Sequence, residues 1–147
     1  MIVLYAEDDI DDFNTFCEVL DEIDLSVKCI NARNGVGALQ TLEELMVLPD
    51  YIFLDINMPA MDGKACLKHI KKDERFKTIP VIIYTTSTNP KDRTLCEQLG
   101  AEDYLPKPNS HKEAFATLSK IFKRKLDAKN RNSTSTFSKW NVDTVVS

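Results

Sequence analysis

Several features that would announce a function are missing from this chain of 147 residues. It has no CxxC pair and no Cys/His cluster, and its four cysteines (Cys17, Cys29, Cys66, Cys96) are widely spaced. With that spacing the cysteines read as small core residues in a reducing compartment, not as disulfides or zinc ligands. No apolar run is long enough to span a bilayer, and the start MIVLYAEDD turns acidic too soon for a secretory leader. Basic charge is not in excess: the formal net charge is −4, which argues against a nucleic-acid-binding face. The expectation is a cytoplasmic chain with no membrane and no nucleic-acid partner. What remains is an ordinary globular balance, 43% hydrophobic and 29% charged, enough for one well-cored domain.

Short β-branched runs alternate with stretches of helical periodicity. The strand candidates are Ile2–Ala6, Ser26–Asn31, Tyr51–Asp55, Pro80–Thr85 and Asp103–Pro106. Three of them are almost continuously hydrophobic, as parallel strands covered on both faces are. Between and after them lie five apolar stripes. The first is Phe13, Phe16, Cys17, Leu20 and Ile23; the second is Val36, Leu39, Leu42, Leu45 and Met46. Cys66, Leu67 and Ile70 form the third, and Leu95, Cys96 and Leu99 the fourth. Phe115, Leu118, Ile121, Phe122 and Leu126 form the last. Pro or Gly in LPD, TIP and LGAED stops a helix before each following strand. Five strand–helix repeats predict an α/β fold, a doubly wound five-stranded parallel sheet of order 2-1-3-4-5 with five helices. In that order ligands bind beyond the carboxyl ends of the strands, at the switch point beside strand 1.

Four strands end there in complementary groups. Strand 1 runs into Glu7 and Asp8, strand 3 ends at Asp55, strand 4 reaches Thr85, and strand 5 is followed by Lys107. Each alone has a bland reading. The acids of EDDIDD suit the start of a helix, Asp55 suits a turn, Thr85 is a strand residue, and a lone lysine is usually solvated. Their coincidence at one edge is what points to a site. Packed carboxylates repel unless a cation joins them, and Asp8 and Asp55 with water and a backbone carbonyl are the oxygen ligands that Mg2+ prefers. With that cation neutralising phosphoryl oxygens, Asp55 is a workable nucleophile. Lys107 offers a second positive charge and Thr85 a hydroxyl for a phosphoryl oxygen.

These residues carry a resemblance. YAEDD, LDINMPAMDG, IPVIIYTTS and LGAEDYLPKP, in that order, make the sequence similar to the receiver domain of two-component response regulators over residues 1–126. The resemblance implies a flavodoxin-like fold and a phosphorelay switch. In it Asp55 takes a phosphoryl group from a phosphohistidine on a sensor histidine kinase or a histidine phosphotransfer protein. It implies Asp8 as a direct Mg2+ ligand, Glu7 acting through water, and Asn57 giving its backbone carbonyl. It also implies Lys107 as the phosphoryl-stabilising lysine, a cis Lys107–Pro108 peptide, and a switch pair of Thr85 and Tyr104. The face of helix 4, strand 5 and helix 5 would then bind a downstream protein. Asp9, outside the acidic pair, is expected to cap the first helix.

Thr86 departs from the family pattern, being bulkier than the residue that often follows the switch threonine, and Pro106 removes a ladder donor from an edge strand. His69 and His111 read as surface residues away from the rim. Residues 127–147 form a polar tail with no output domain. The tail is either flexible or a docking segment built on Phe137, Trp140, Val142, Val145 and Val146 that joins partners or a second copy as a homodimer. Three other functions compete. A pseudo-receiver that only binds partners would lack the acceptor, the acidic pair or the lysine. An aspartyl-phosphate hydrolase would need D-x-D-x-T/V after strand 1, where Asp12 and Phe13 spoil the run, and a cap domain for which there is no length. A flavin protein would need a Ser/Thr/Gly phosphate loop where this chain has EDDIDD.

Overall fold

Alternation along the strands explains the architecture, because successive side chains of a strand point to opposite faces. In the computed structural model, which describes residues 1–123, the strands are β1 (Ile2–Ala6), β2 (Lys28–Ala32), β3 (Tyr51–Leu54), β4 (Val81–Thr85) and β5 (Asp103–Pro106). Val3, Tyr5, Tyr51, Phe53, Ile82 and Tyr84 face one side, with Leu4, Ala6, Ile52, Leu54, Val81 and Ile83 on the other. Both sides are buried, so both need a helical cover.

The cover comes from α1 (Ile10–Ile23), α2 (Gly35–Glu44), α3 (Gly63–Lys72), α4 (Pro90–Gln98) and α5, helical over residues 111–123. α1 and α5 pack on the aromatic side through Phe16, Val19, Leu20, Leu118 and Phe122. α2, α3 and α4 pack on the aliphatic side through Ala38, Leu42, Cys66, Leu67, Ile70 and Cys96. All strand pairs are parallel and the order is β2-β1-β3-β4-β5, the doubly wound sheet expected from the repeats.

Local chemistry sets the element ends. Asp9 caps α1 by accepting from the backbone N–H of Asp11 and Asp12, as expected of it. Asn34, Asp62 and Asn89 cap α2, α3 and α4 in the same way, and Pro90 opens α4.

Several expected bounds shift: β2 runs to Ala32, β3 stops at Leu54 and β4 starts at Val81. β2 begins at Lys28 rather than Ser26, because the Asp24 carboxylate accepts from both the N–H and the hydroxyl of Ser26 and folds that stretch into a turn. α2 stops at Glu44, so Met46 leaves the apolar stripe and is fully exposed. Pro49 bars Leu48 from helical geometry, which ends the helix early. Leu126 and the residue 127–147 tail lie outside the described residues.

Candidate functional site

The carboxyl ends of β1, β3 and β4 and the segment after β5 meet at one rim. The Asp55 N–H donates to the Ala6 carbonyl at 3.2 Å, and the Lys107 N–H donates to the Thr85 carbonyl at 2.8 Å. Sheet pairing thus continues one residue past the strands and fixes both backbones. Gly63 sets the approach from the other side: a Cβ there would lie 2.2 Å from the Asp55 carbonyl oxygen. Only glycine lets α3 start this close beneath the Asp55 backbone. The intervening loop holds Ala60 at φ 65°, a left-handed conformation that costs a non-glycine residue energy and often stands beside functional groups.

The side chains converge on Asp55, which is buried. Its Oδ1 accepts from the Thr85 hydroxyl at 2.8 Å and from the Asn57 N–H at 3.2 Å, and its Oδ2 accepts from Lys107 Nζ at 2.8 Å. Lys107 Nζ also donates to Glu7 Oε2 at 2.7 Å and to Asp12 Oδ2 at 2.9 Å. Glu7, 2% exposed, accepts further from the Tyr5 hydroxyl and the Asp9 N–H, both at 3.1 Å.

Burial pushes the Glu7 carboxyl up to about 7, against the pull of Lys107 and the Asp9 N–H. Burial acts on Asp55 too, but the hydrogen bonds from Lys107 and Thr85 outweigh it and hold that carboxyl below its ordinary value. Burial alone would lower Lys107, yet the hydrogen bonds from its ammonium to Asp55, Glu7 and Asp12 leave it raised and firmly charged. Of two neighbouring acids, one therefore stays ionised and one is poised to hold a proton.

The same rim has the chemistry of a hard-cation site. Glu7, Asp8 and Asp55 each bring one carboxylate oxygen within 4.8 Å of the others, with Asp8 exposed and the other two buried. An all-oxygen set of mixed exposure suits Mg2+, which keeps several waters and needs few protein ligands.

The structure thus brings Glu7, Asp8, Asp55, Thr85 and Lys107 together, with Asn57 alongside on the loop after β3. Tyr104 lies apart from the carboxylates, on the aliphatic side of the sheet, 7% exposed, and its hydroxyl donates to the Ser87 carbonyl at 3.2 Å. Thr86 is exposed.

The cis peptide is corrected: among the described residues no peptide bond is cis, so Lys107–Pro108 is trans. Trans is the lower-energy form of an X–Pro bond, and from it the Lys107 ammonium already reaches three carboxylates. His69 is exposed on α3, as expected. His111 is also exposed and pairs with Glu22, yet it is nearer the rim than its reading implied. It lines a cleft of about 170 Å³ with Asp12, Tyr84 and Lys107.

Sequence reasoning missed Asp12, the third carboxylate on Lys107, and the Tyr5 hydroxyl on Glu7. Asp12 carries a signal in hindsight. It lies in the first turn of α1, which opens directly after the strand-1 acids at the rim. Tyr5 stands two residues before Glu7 and so shares its face of β1.

Comparison with known proteins gives a consistent result. The family model for the response regulator receiver domain matches residues 3–119. Response regulator Rcp1 of Synechocystis is 33% identical over 119 residues, covering 78% of this chain and 81% of that protein. The crystal structure of its Mn(2+)-bound form superposes with a TM-score of 0.74 at 31% identity, covering 82% of this chain and 90% of that one. The phosphorylated cyanobacterial phytochrome response regulator RcpA gives a TM-score of 0.76 at 28% identity, with 82% and 89% covered. A transcriptional regulatory protein CpxR homolog of Haemophilus influenzae is 34% identical over 87% of this chain, which spans 53% of its length. No helix among the described residues is long and apolar enough to cross a membrane. With the family model spanning most of its length and the acidic rim at the ends of a 2-1-3-4-5 sheet, this chain belongs to the response regulator receiver domain family of two-component signalling.

Proposed function

We propose that Asp55 is the phosphoacceptor of a two-component phosphorelay. One observation carries the reading most: a buried carboxylate holds an ammonium on one oxygen and a hydroxyl on the other, all within 2.8 Å. That is the donor set a phosphoryl group would need once attached. An Asp55 oxygen attacks the phosphorus of a phosphohistidine on a sensor histidine kinase or histidine phosphotransfer protein. The P–N bond breaks, its electron pair returns to the imidazole, and an acyl phosphate forms. Transfer of this kind asks for in-line positioning and charge stabilisation rather than further covalent chemistry.

Lys107 and Thr85 leave the carboxylate oxygens and meet those of the phosphoryl group. Asp8, Asp55 and the Asn57 carbonyl would hold Mg2+ directly, with Glu7 acting through water. The ion, when bound, neutralises charge on the transferring group. The oxygen-only cluster of Glu7, Asp8 and Asp55 supports this, and so does a relative that takes Mn2+.

The switch pair is Thr85 and Tyr104, and the outcome is a changed protein-binding face on α4, β5 and α5. The chain acts as a signalling module in the cytoplasm and not as an enzyme on a separate substrate. Residues 1–126 form the receiver unit, followed by a polar tail.

The test is intact mass after incubation with a small phosphodonor, with and without Mg2+, on the native chain and on Asp55→Asn. A single phosphoryl adduct that needs Mg2+ and disappears in the variant is expected. No adduct under any condition, from a small donor or from a phosphorylated histidine partner, leaves a module that binds without accepting.

A further inference from the structure

The fold divides the cysteines into two kinds. Cys66 and Cys96 are fully buried on the aliphatic side of the sheet, where they pack as small core residues. Cys17 and Cys29 are only half-buried, and their thiols share a hydrogen bond. Cys29 stands on β2 opposite Val3 of β1, with its side chain on the aromatic side of the sheet. Cys17 follows Phe16 on α1, the helix that covers that same side through Phe16, Val19 and Leu20. Because β2 is an edge strand, the pair lies at the margin of the core, within reach of water.

The two thiols are not equivalent. The hydrogen bond from Cys29 holds Cys17 below the ordinary thiol value, against burial and the carboxylates of Asp21 and Glu18. The same bond, with burial, pushes Cys29 up, so Cys29 is the one that keeps its proton. A reachable sulfur with a stabilised anion is the one that attacks an oxidant, and a second thiol in contact with it resolves the product.

We propose that Cys17 and Cys29 form an oxidation site for a hydroperoxide, closing to a disulfide that ties α1 to the edge strand β2. The Cys17 sulfur attacks one oxygen of hydrogen peroxide, the O–O bond breaks, and one water leaves as Cys17 becomes a sulfenic acid. The Cys29 sulfur then attacks the Cys17 sulfur, the S–O bond breaks, and the Cys29 proton departs with the hydroxyl as a second water. The two thiols give up two electrons and two protons, and the peroxide takes up both. In a reducing compartment the pair rests as two thiols, and small thiols return it to that state after oxidation. The disulfide would close a short loop, from residue 17 to residue 29, and so restrict the unfolded chain. None of this depends on the reading of Asp55 as phosphoacceptor.

The test is brief exposure of the full chain to hydrogen peroxide, then denaturation, alkylation with iodoacetamide and peptide mass mapping without reductant. Mapping is needed because fully exposed Met46 can also gain an oxygen and alter the intact mass. A linked peptide pair joining Cys17 to Cys29 is expected, with Cys66 and Cys96 alkylated and the link reversed by dithiothreitol. The melting midpoint of the oxidised chain should rise by roughly 5 °C and fall back on reduction. Cys29→Ser should accumulate a sulfenic acid on Cys17 that dimedone traps, whereas Cys17→Ser should leave Cys29 almost unlabelled. The native chain answers the main question whether or not these variants fold.

The proposal is overturned if peroxide leaves Cys17 and Cys29 open to alkylation, or if the link joins two chains or takes in Cys66 or Cys96. A disulfide that closes without raising the midpoint would overturn the tie between α1 and β2. Dimedone on Cys29 in Cys17→Ser, with none on Cys17 in Cys29→Ser, would overturn the assigned order of attack.

Discussion

Lys107 and Arg75 are both gripped by acidic side chains, but at different depths, and depth decides what each cluster does. The Lys107 side chain is 12% exposed and touches Glu7, Asp12 and Asp55, of which Glu7 and Asp55 are almost fully buried. The Arg75 side chain is 58% exposed and bridges Glu43 and Asp73 at the surface, with its Nη1 2.7 Å from Glu43 Oε2. Around Arg75 both carboxyls simply fall below their ordinary values, because hydrogen bonds from a neighbouring cation are the largest influence on them. Around Lys107 burial is the largest influence, and the two inner acids separate: Glu7 rises to about 7 while Asp55 falls. A surface cluster ties helices together, whereas a buried one creates groups with different tasks. That separation is what the proposed phosphoacceptor beside an acid assisting a metal would require.

The sharpest way to break the comparison is to move Asp55 without touching any charge. Gly63→Ala does this, because its Cβ would meet Asp55 backbone atoms at 2.2 and 2.9 Å and the Ile56 Cα at 3.0 Å. Backbone has to shift, so the loss should reach about 4 kcal/mol, at the severe end for one substitution. Phosphoryl acceptance should fall with it even though every charged residue is retained. Chemical denaturation with the intact-mass assay reads both, and a variant of native stability would show that α3 has room to retreat.

Lys107→Met comes next. It leaves Glu7 and Asp55 buried without their cation, and breaking a buried pair from one side costs about 3 kcal/mol. The loss should be partly recovered by Mg2+, which restores positive charge to the same carboxylates. Equal loss with and without Mg2+ would mean that the ion does not share those ligands.

Much of this was legible in the sequence, and the reasons are physical. Continuous β-branched runs with helical stripes between them leave few architectures open, so strand order and the rim of Glu7, Asp8, Asp55, Thr85 and Lys107 could be placed from residue type and position. Asp12 and Tyr5 were not seen, because their contacts depend on which way side chains turn across α1 and β1. The trans Lys107–Pro108 bond contradicts the resemblance, which carries a backbone isomer no pattern of residues encodes. Ser87 looked like one more loop serine, since a hub of four hydrogen bonds leaves no periodicity behind. Met46 was misplaced because a stripe counted at helical spacing does not register that the helix stops at Glu44, before the LPD break.

A smaller effect is expected from pH, and its sign follows from the two inner acids. Folded Glu7 holds its proton more tightly than the ordinary value of 4.5 allows, up to about 7. Its contribution to stability is therefore complete below 4.5 and is lost as pH rises to about 7. Asp55 acts in the opposite sense: held below its ordinary 3.8, it stabilises above that value and ceases to do so as pH falls below it. Without Mg2+, the chain should lose stability on going from pH 4.5 to about 7, and Glu7→Gln should flatten that slope. Mg2+ affinity should rise over the same interval as Glu7 gives up its proton. Urea titrations across this range read the slope, and a flat native profile would mean that Glu7 is ionised throughout.

Arg75→Ala should do least of all, and for that reason it tests the comparison from its other end. The bridge from Arg75 joins Glu43 of α2 to Asp73 at the end of α3, and the guanidinium also lies over the Phe76 ring at 4.7 Å. All its charged partners are in contact with water, which screens the pairs and competes for their hydrogen bonds. The melting midpoint should be close to that of the native chain, with a small drop that shrinks as salt is added. Mg2+ affinity and phosphoryl acceptance should be unchanged, since the α2–α3 surface carries none of the residues at the rim. A loss as large as that of Lys107→Met would mean that depth is not what separates the two clusters. The packing of α2 on α3 through Arg75 and Phe76 would then have to be counted as part of what holds Gly63, and with it Asp55, in place.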